Sequence, residues 1–149
     1  EIIHTPGHTR GHSCLLIDWE NNDERLCVLG DIDLTSFGPY YGDGWSSLVD
    51  FEQSLELLKS VEAHWWLTFH HKGLIEGRRE FLTMLEKYSK MIDSRESRLL
   101  AYLSEPRSLD QIVEHQFIYR PGTGGVMVDQ IERRSMRMHL DAAHRWQAR

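Results

Sequence analysis

The 149-residue sequence contains only two cysteines, four prolines and no long apolar segment. The two cysteines, Cys14 and Cys27, cannot form the disulfide framework of a small secreted domain, and each lies in an apolar run where a buried thiol is expected. The low cysteine content is typical of a reducing compartment. No apolar run approaches the roughly 18 residues of a membrane helix, and the first residues are not expected to be a signal peptide. We therefore expect a cytoplasmic globular protein without a membrane segment.

Basic residues are also scarce, with 17 Lys and Arg against 23 Asp and Glu and a net charge of −6. The acidic excess lies in residues 1–106, because residues 107–149 contain seven basic and five acidic side chains. A surface that follows nucleic-acid phosphates needs an excess of positive charge. Nucleic acid is therefore not the expected partner, and Arg133, Arg134 and Arg137 are expected to form a charged helix face.

Hydrophobic periodicity and turn residues predict strands and helices along the whole chain. Strands are expected at residues 1–4, 13–18, 25–29 and 65–69, with helices starting near residues 47, 78, 108 and 126. Capping-box patterns at Ser47 with Asp50 and at Ser108 with Gln111 mark two of the helix starts. Residues 21–23, Asn-Asn-Asp, predict a hairpin turn. The order of elements indicates an α/β protein.

Residues 35–45 hold three glycines, a proline and four aromatic side chains, which predicts a long irregular loop. Such loops line pockets. The aromatic residues expected to contact a substrate there are Phe37, Tyr40, Tyr41 and Trp45. In contrast, Trp65 and Trp66 are expected to pack in a strand, and Lys72 to be a solvated loop residue.

Three candidate metal ligands, His8, Asp31 and His71, each lie at or just past the end of a predicted strand. Loops converge at strand ends in layered α/β folds, and ligands bind there. Imidazole and carboxylate groups suit zinc and similar divalent ions, and one carboxylate can bridge two metals. The alternative role for any single histidine is a hydrogen bond that holds its loop.

His4, His8 and His12 are spaced four residues apart, as on one face of a helix. Pro6-Gly7 excludes that helix, because proline removes a donor and disfavours helical geometry in the residue before it. The cluster is therefore expected to be a loop in which each histidine points in a different direction.

These segments resemble the metal-binding motifs of the metallo-β-lactamase superfamily. Residues 5–13, Thr-Pro-Gly-His-Thr-Arg-Gly-His-Ser, resemble its third motif, as found in glyoxalase II-like and lactamase-β-like proteins. Residues 29–31, Leu-Gly-Asp, resemble the fourth motif, and residues 70–73, His-His-Lys-Gly, stand where the fifth motif, Pro-Gly-His-Gly, is expected. Order and spacing agree for all three.

The resemblance implies a role for each matching residue. His8 would be a terminal ligand of one metal, Asp31 would bridge two metals, and His71 would be a terminal ligand of the second. His12 is not a ligand in that pattern and would support the metal-binding loop. His70 remains an alternative to His71, because adjacent residues of a strand face opposite ways.

The resemblance also implies a fold and a domain division. Residues 1–105 would form the C-terminal half of an αββα sandwich, and residues 106–149 a small helical, winged-helix-like module. Nothing in the sequence matches the superfamily's His-x-His-x-Asp-His motif, whose Asp would orient the nucleophile. Hence the chain alone is expected to be inactive or nearly so, and either to bind a complementary N-terminal half or to self-associate.

The function implied is metal-dependent hydrolysis, in which a water activated by one or two metals attacks an ester, thioester or lactone. Two zinc ions per complete site are expected, with manganese or iron as alternatives. Two other functions stay open. One is cleavage of RNA phosphodiesters, and the other is a non-catalytic interaction module built on a decayed site.

Overall fold

A computed structural model describes residues 1–19 and 23–147, with side chains described to residue 142. It contains five strands and four helices in these residues. The strands are β1 (Ile2–His4), β2 (Ser13–Asp18), β3 (Arg25–Gly30), β4 (Trp65–Thr68) and β5 (Leu74–Glu76). The helices are α1 (Leu48–Leu58), α2 (Arg78–Tyr102), α3 (Leu109–His115) and α4 (Val126–Gln147).

The strands form one sheet in the order β1-β2-β3-β4-β5. All neighbours pair antiparallel except β3 and β4, which are parallel and are connected through α1. Because β3 and β4 are parallel, their carboxyl ends lie side by side, and Gly30 pairs with Thr68. The start of β2 lies at the same edge, since β2 runs antiparallel to β3. This edge of the sheet therefore collects the loops before β2, after β3 and after β4.

One face of the sheet packs against α1 and α2 around a single large core. Alternation along each strand turns every second side chain into it, as with Cys14 and Leu16 of β2. Trp66 of β4 is fully buried and stacks on Phe81 of α2, with ring centroids 3.4 Å apart. The helices contribute apolar stripes at helical spacing, and Ser47 caps α1 by accepting the backbone N–H of Asp50.

The opposite face of the sheet exposes an apolar row that crosses all five strands. The register aligns Ile2, Leu15, Val28, Leu67 and Leu74 in sequence from β1 to β5. Ile2, Leu15 and Leu74 are 73%, 42% and 58% exposed. Exposed apolar patches of this kind are uncommon on monomers and are typical of interaction surfaces.

The C-terminal part of the chain contains the two expected helices, α3 and α4, in its described residues. A second, small core joins the end of α2 to α3 and α4 through Leu99, Ile112, Phe117 and Met136. Ser108 and Gln111 form the expected capping box at α3. A winged helix also needs a β-hairpin wing. Since residues 106–147 contain two helices and their connections, the winged-helix assignment is not confirmed, and the division at residue 105 stays a prediction.

Most predicted elements are confirmed within a residue or two. The strand expected at 65–69 ends at Thr68, and β5 was not predicted because its three residues are too few to show a periodicity. The predicted hairpin turn at 21–23 lies largely outside the described residues. Both cysteines are buried free thiols, as expected. No helix in the described part of the chain is long and apolar enough to cross a membrane.

Candidate metal-binding site

The candidate ligands meet at the edge of the sheet where β3 and β4 end. His8 lies in the loop before β2, Asp31 follows β3, and His70 and His71 lie in the turn between β4 and β5. Nε2 of His8 is 3.7 Å from Oδ2 of Asp31, and Nε2 of His70 is 3.1 Å from Oδ1. The two oxygens of one carboxylate thus each face a different imidazole.

The loop that contains His8 is fixed by close packing against α1. A Cβ on Gly7 would lie 2.3 Å from Cα of Phe51, and its φ of +135° favours glycine. The backbone N–H of Ser47 donates to the carbonyl of Gly7, which ties the loop to the start of α1. Nδ1 of His8 lies 3.1 Å from the carbonyl oxygen of Tyr40. Because a carbonyl only accepts, Nδ1 holds the proton in this bond, and Nε2 is the ring nitrogen that faces Asp31.

His12 lies on the buried side of the site and hydrogen-bonds both the loop before β2 and the start of the loop after β3. Its Nδ1 donates to the carbonyl of Thr5 at 2.9 Å, and its Nε2 accepts the backbone N–H of Asp31 at 3.2 Å. Burial lowers the pKa of His12, so the neutral, accepting form is favoured. Gly30 makes the approach possible, since a Cβ there would lie 2.9 Å from Nε2 of His12 and its φ is +59°. The glycine that ends β3, just before Asp31, therefore has a steric reason.

The turn after β4 brings His70, rather than His71, next to Asp31. The backbone N–H of Thr68 donates to Gly73, and that of Phe69 donates to Gly30, so the turn is anchored at both sides. His70 has a φ of +66°, which a non-glycine residue adopts only when its surroundings hold it there. No hydrogen bond or ion pair in the described residues joins His71 to Asp31. The role predicted for His71 remains a prediction, and the alternative residue, His70, is the one in contact with the carboxylate.

The arrangement supplies part of a metal-binding site. Zinc requires about four ligands, and imidazole nitrogen and carboxylate oxygen are among its preferred donors. Each oxygen of Asp31 is paired with one imidazole, which fits a carboxylate shared between two cations. Nevertheless, among the residues that the structure describes, no group of three His, Cys, Asp or Glu side chains is placed to hold a metal ion. Further ligands would have to come from elsewhere.

The aromatic residues predicted to line a substrate pocket occupy three different environments. Phe37 and Trp45 are 38% and 64% exposed on the loop, where a substrate could reach them. Tyr40 is half-buried against the ring of His8 at 5.6 Å, and burial raises the pKa of its phenol to about 12. Tyr41 is 1% exposed, so its side chain is part of the core and is not available to a substrate.

A buried polar network fixes this loop against α2 and α4. The guanidinium of Arg95 donates to the carbonyls of Phe37 and Pro39 and to the hydroxyl of Tyr41. Since the guanidinium can only donate, the Tyr41 hydroxyl keeps its own proton for Nε2 of His139, 2.9 Å away. Helices α2 and α4 therefore position the loop of residues 35–45, and the carbonyl of Tyr40 in this loop orients His8.

Sequence reasoning did not identify Arg95 or His139. The sequence did contain a signal for Arg95, because this charged residue stands in the apolar stripe of α2, between Ile92 and Leu99. A charge on a buried stripe indicates a specific set of partners. His139 gave no comparable signal, because its partner Tyr41 is 98 residues away along the chain.

No family model matches the chain, and no curated protein matches it. Among solved structures, the chain is similar to the metallo-beta-lactamase family protein TTHA1429 from Thermus thermophilus, with a TM-score of 0.73 and 22% identity over 99% of this chain. The match spans 44% of that protein, which is less than half of its length. A weaker similarity (TM-score 0.42, 19% identity) relates 95% of the chain to 45% of the archaeal superfamily protein ST1585 from Sulfolobus tokodaii. The first likeness shows that this chain has the fold of part of a metallo-beta-lactamase family protein.

Proposed function

We propose that the chain belongs to a metal-dependent hydrolase of the metallo-β-lactamase superfamily and supplies one side of its metal centre. The observation that supports this best is the placement of Asp31, whose two carboxylate oxygens each face one imidazole. Similarity in fold over 99% of the chain and the match of residues 5–13 to a metal motif point the same way. Bound zinc, manganese or iron would activate water for attack on an ester, thioester or lactone.

The residues of this chain would position the donors. Asp31 would hold the two cations close together, and His8 would bind one of them through Nε2, with its ring orientation set by the Tyr40 carbonyl. The second imidazole would come from the turn after β4. His70 lies closest to the carboxylate, while the resemblance favours His71. His12 would keep Asp31 in place without touching the metal.

The remaining ligands would come from a segment that carries the His-x-His-x-Asp-His motif. We propose that this segment, or a second copy of the chain, covers the exposed apolar face of the sheet. The chain alone would then be inactive or nearly so, whereas the chain together with such a segment would hydrolyse its substrate.

The ligand assignment can be tested by zinc titration of the chain, followed through the imidazole nitrogen signals in NMR spectra. We expect zinc to shift the signals of His8 and of one residue of the pair His70 and His71, and His4 to stay unchanged as an internal control. His70→Gln and His71→Gln then identify the second ligand, because only the variant of the true ligand weakens binding. Equal affinity in parent, both variants and His8→Gln would contradict the proposal.

The proposed reaction is tested by assaying the chain together with the segment that supplies the missing ligands. Thioester, ester and lactone hydrolysis should depend on added zinc, manganese or iron and be lost in Asp31→Ala. A rate unchanged by Asp31→Ala would contradict the hydrolytic role of this site.

A further inference from the structure

A groove of about 600 Å³ lies between α2, the loop after Asp31 and the segment before α4. This volume falls within the range of about 300–1,000 Å³ that is usual for small-molecule sites. Three arginines line it, Arg95, Arg98 and Arg120, and no acidic side chain does. In a chain with a net charge of −6, a concave surface whose charged lining residues are all positive is a local reversal of the charge.

This groove continues towards the candidate metal-binding site. A second groove of about 320 Å³ shares Ser36 and Met91 with the first and reaches Lys72, the residue after His71. It contains one further basic side chain, Lys87, and a single acidic one, Glu80. The two grooves together form one path along α2, which we call the α2 groove.

The sequence of α2 explains why the positive charges collect there. Lys87, Met91, Arg95 and Arg98 recur at intervals of three or four residues and therefore share one face of the helix. The acidic residues Glu86 and Asp93 lie on other faces and do not line the groove. On this helix face the charges are thus positive from Lys87 to Arg98, with the acidic Glu80 near the start of the helix, whereas the charges on the rest of the helix are mixed.

Several of these cations have donors that are not used by the protein. No ion pair among the described residues involves Lys72, Lys87 or Arg120. Arg98 donates through one nitrogen to the carbonyl of Phe117, although a guanidinium has five N–H donors. Arg95 donates three hydrogen bonds to the loop, so its contribution to the groove is mainly its charge. Free cationic donors in a groove are suited to phosphate groups.

The groove also provides an aromatic contact. Phe37 is 38% exposed, lies 5.6 Å from the ring of Tyr119 in an edge-to-face pair, and is covered on another side by the guanidinium of Arg95 at 5.5 Å. A planar ring inserted beside Phe37 would stack in the manner of aromatic pairs.

We propose that the α2 groove binds a small organic phosphate that carries an aromatic ring, such as a nucleotide or the nucleotide portion of a larger substrate. Arg98 and Arg120 bind the phosphates, and Phe37 contacts the ring. Binding itself requires no metal. The further step, that the rest of the ligand extends past Lys72 to the centre at Asp31, rests on the proposed hydrolytic function.

Isothermal titration calorimetry of the chain with ADP tests the proposal. Because a hydrogen bond to a charged group contributes about 1.5–3 kcal/mol, Arg98→Gln and Arg120→Gln should each weaken ADP binding about tenfold or more. Arg120 is exposed, and none of its side-chain atoms bonds to a described residue, so Arg120→Gln tests the site without disturbing the fold. Arg79→Gln, an equal charge change on an exposed residue of α2 outside the groove, should leave binding unchanged.

Further ligands separate the two parts of the proposed recognition. Adenosine and inorganic pyrophosphate should each bind more weakly than ADP, and Phe37→Ala should weaken ADP but not pyrophosphate. No binding of ADP, or equal losses in Arg120→Gln and Arg79→Gln, would overturn the proposal. Binding of a single-stranded RNA octamer more than about a hundredfold tighter than ADP would also overturn it in favour of a nucleic-acid site. These outcomes do not depend on metal and so are distinguishable from a failure of the hydrolase proposal.

Discussion

The buried imidazole of His139 is expected to make the stability of the fold depend on pH. Burial, with a further contribution from the charge of Arg95, lowers the pKa of His139 from 6.5 to about 4. Protonation would also remove the acceptor that the Tyr41 hydroxyl uses. The folded protein therefore binds this proton less readily than the unfolded chain does. The stability that neutral His139 contributes is fully present above pH 6.5 and is lost as the pH falls from 6.5 towards 4. Below pH 4 the contribution of this group stays constant.

The size of the effect follows from the separation of the two pKa values. One pKa unit corresponds to about 1.36 kcal/mol, so the full loss in the free energy of unfolding is about 3 kcal/mol. Between about pH 7 and pH 4.5 the loss is about 2 kcal/mol by the same relation. The side chain is 1% exposed, so solvent screening does not reduce this value appreciably.

His139→Gln removes the titrating group and keeps an oxygen that can accept the Tyr41 proton. Urea denaturation of parent and variant at several pH values between about 7 and 4.5 measures the difference, because carboxylates titrate equally in both proteins. We expect the parent to lose about 2 kcal/mol more than the variant over this range. Parallel pH profiles for the two proteins would refute the reasoning about this buried network.

Three further outcomes follow from the structure. Arg95→Leu leaves the carbonyls of Phe37 and Pro39 and the hydroxyl of Tyr41 without their donor. In urea denaturation this variant should reduce the free energy of unfolding by about 3 kcal/mol. A loss below about 1 kcal/mol would show that other contacts hold the loop of residues 35–45 in place. The buried carboxylate of Glu132 accepts three consecutive backbone N–H groups at residues 117–119, so Glu132→Gln should cost about 2 kcal/mol in the same assay. Because the apolar sheet face is exposed, light scattering should show the chain self-associated, and Leu15→Lys should shift it towards monomer; a monodisperse parent monomer would contradict this.

Local patterns were sufficient to predict most of the secondary structure. The apolar spacing in α1 and α2, the capping box at Ser108 and the glycine that ends β3 are short-range signals, and short-range energetics determine those elements. The strand β5 escaped prediction because its three residues owe their conformation to pairing with β4. Its existence depends on the sheet and not on its own sequence.

Part of the candidate site could likewise be predicted from local patterns. The position of Asp31 after a strand and of His8 in a Pro-Gly loop could be predicted from the sequence, because strand ends and turns are local features. The choice between His70 and His71 could not, since it depends on a turn in which His70 has a φ of +66° and the Phe69 amide is bonded to Gly30. The network of Arg95, Tyr41 and His139 joins residues far apart in the chain and required the structure.

The central claim, that Asp31 is a metal ligand, is tested most directly by the metal content of the chain. The parent, Asp31→Ala and the control Asp93→Ala, an exposed carboxylate on α2, would each be purified without chelators together with the segment that supplies the missing ligands, given equal zinc and analysed by plasma mass spectrometry. We expect zinc to be retained by the parent and by Asp93→Ala and to be lost from Asp31→Ala. Equal zinc contents in the parent and Asp31→Ala would contradict the assignment of this centre.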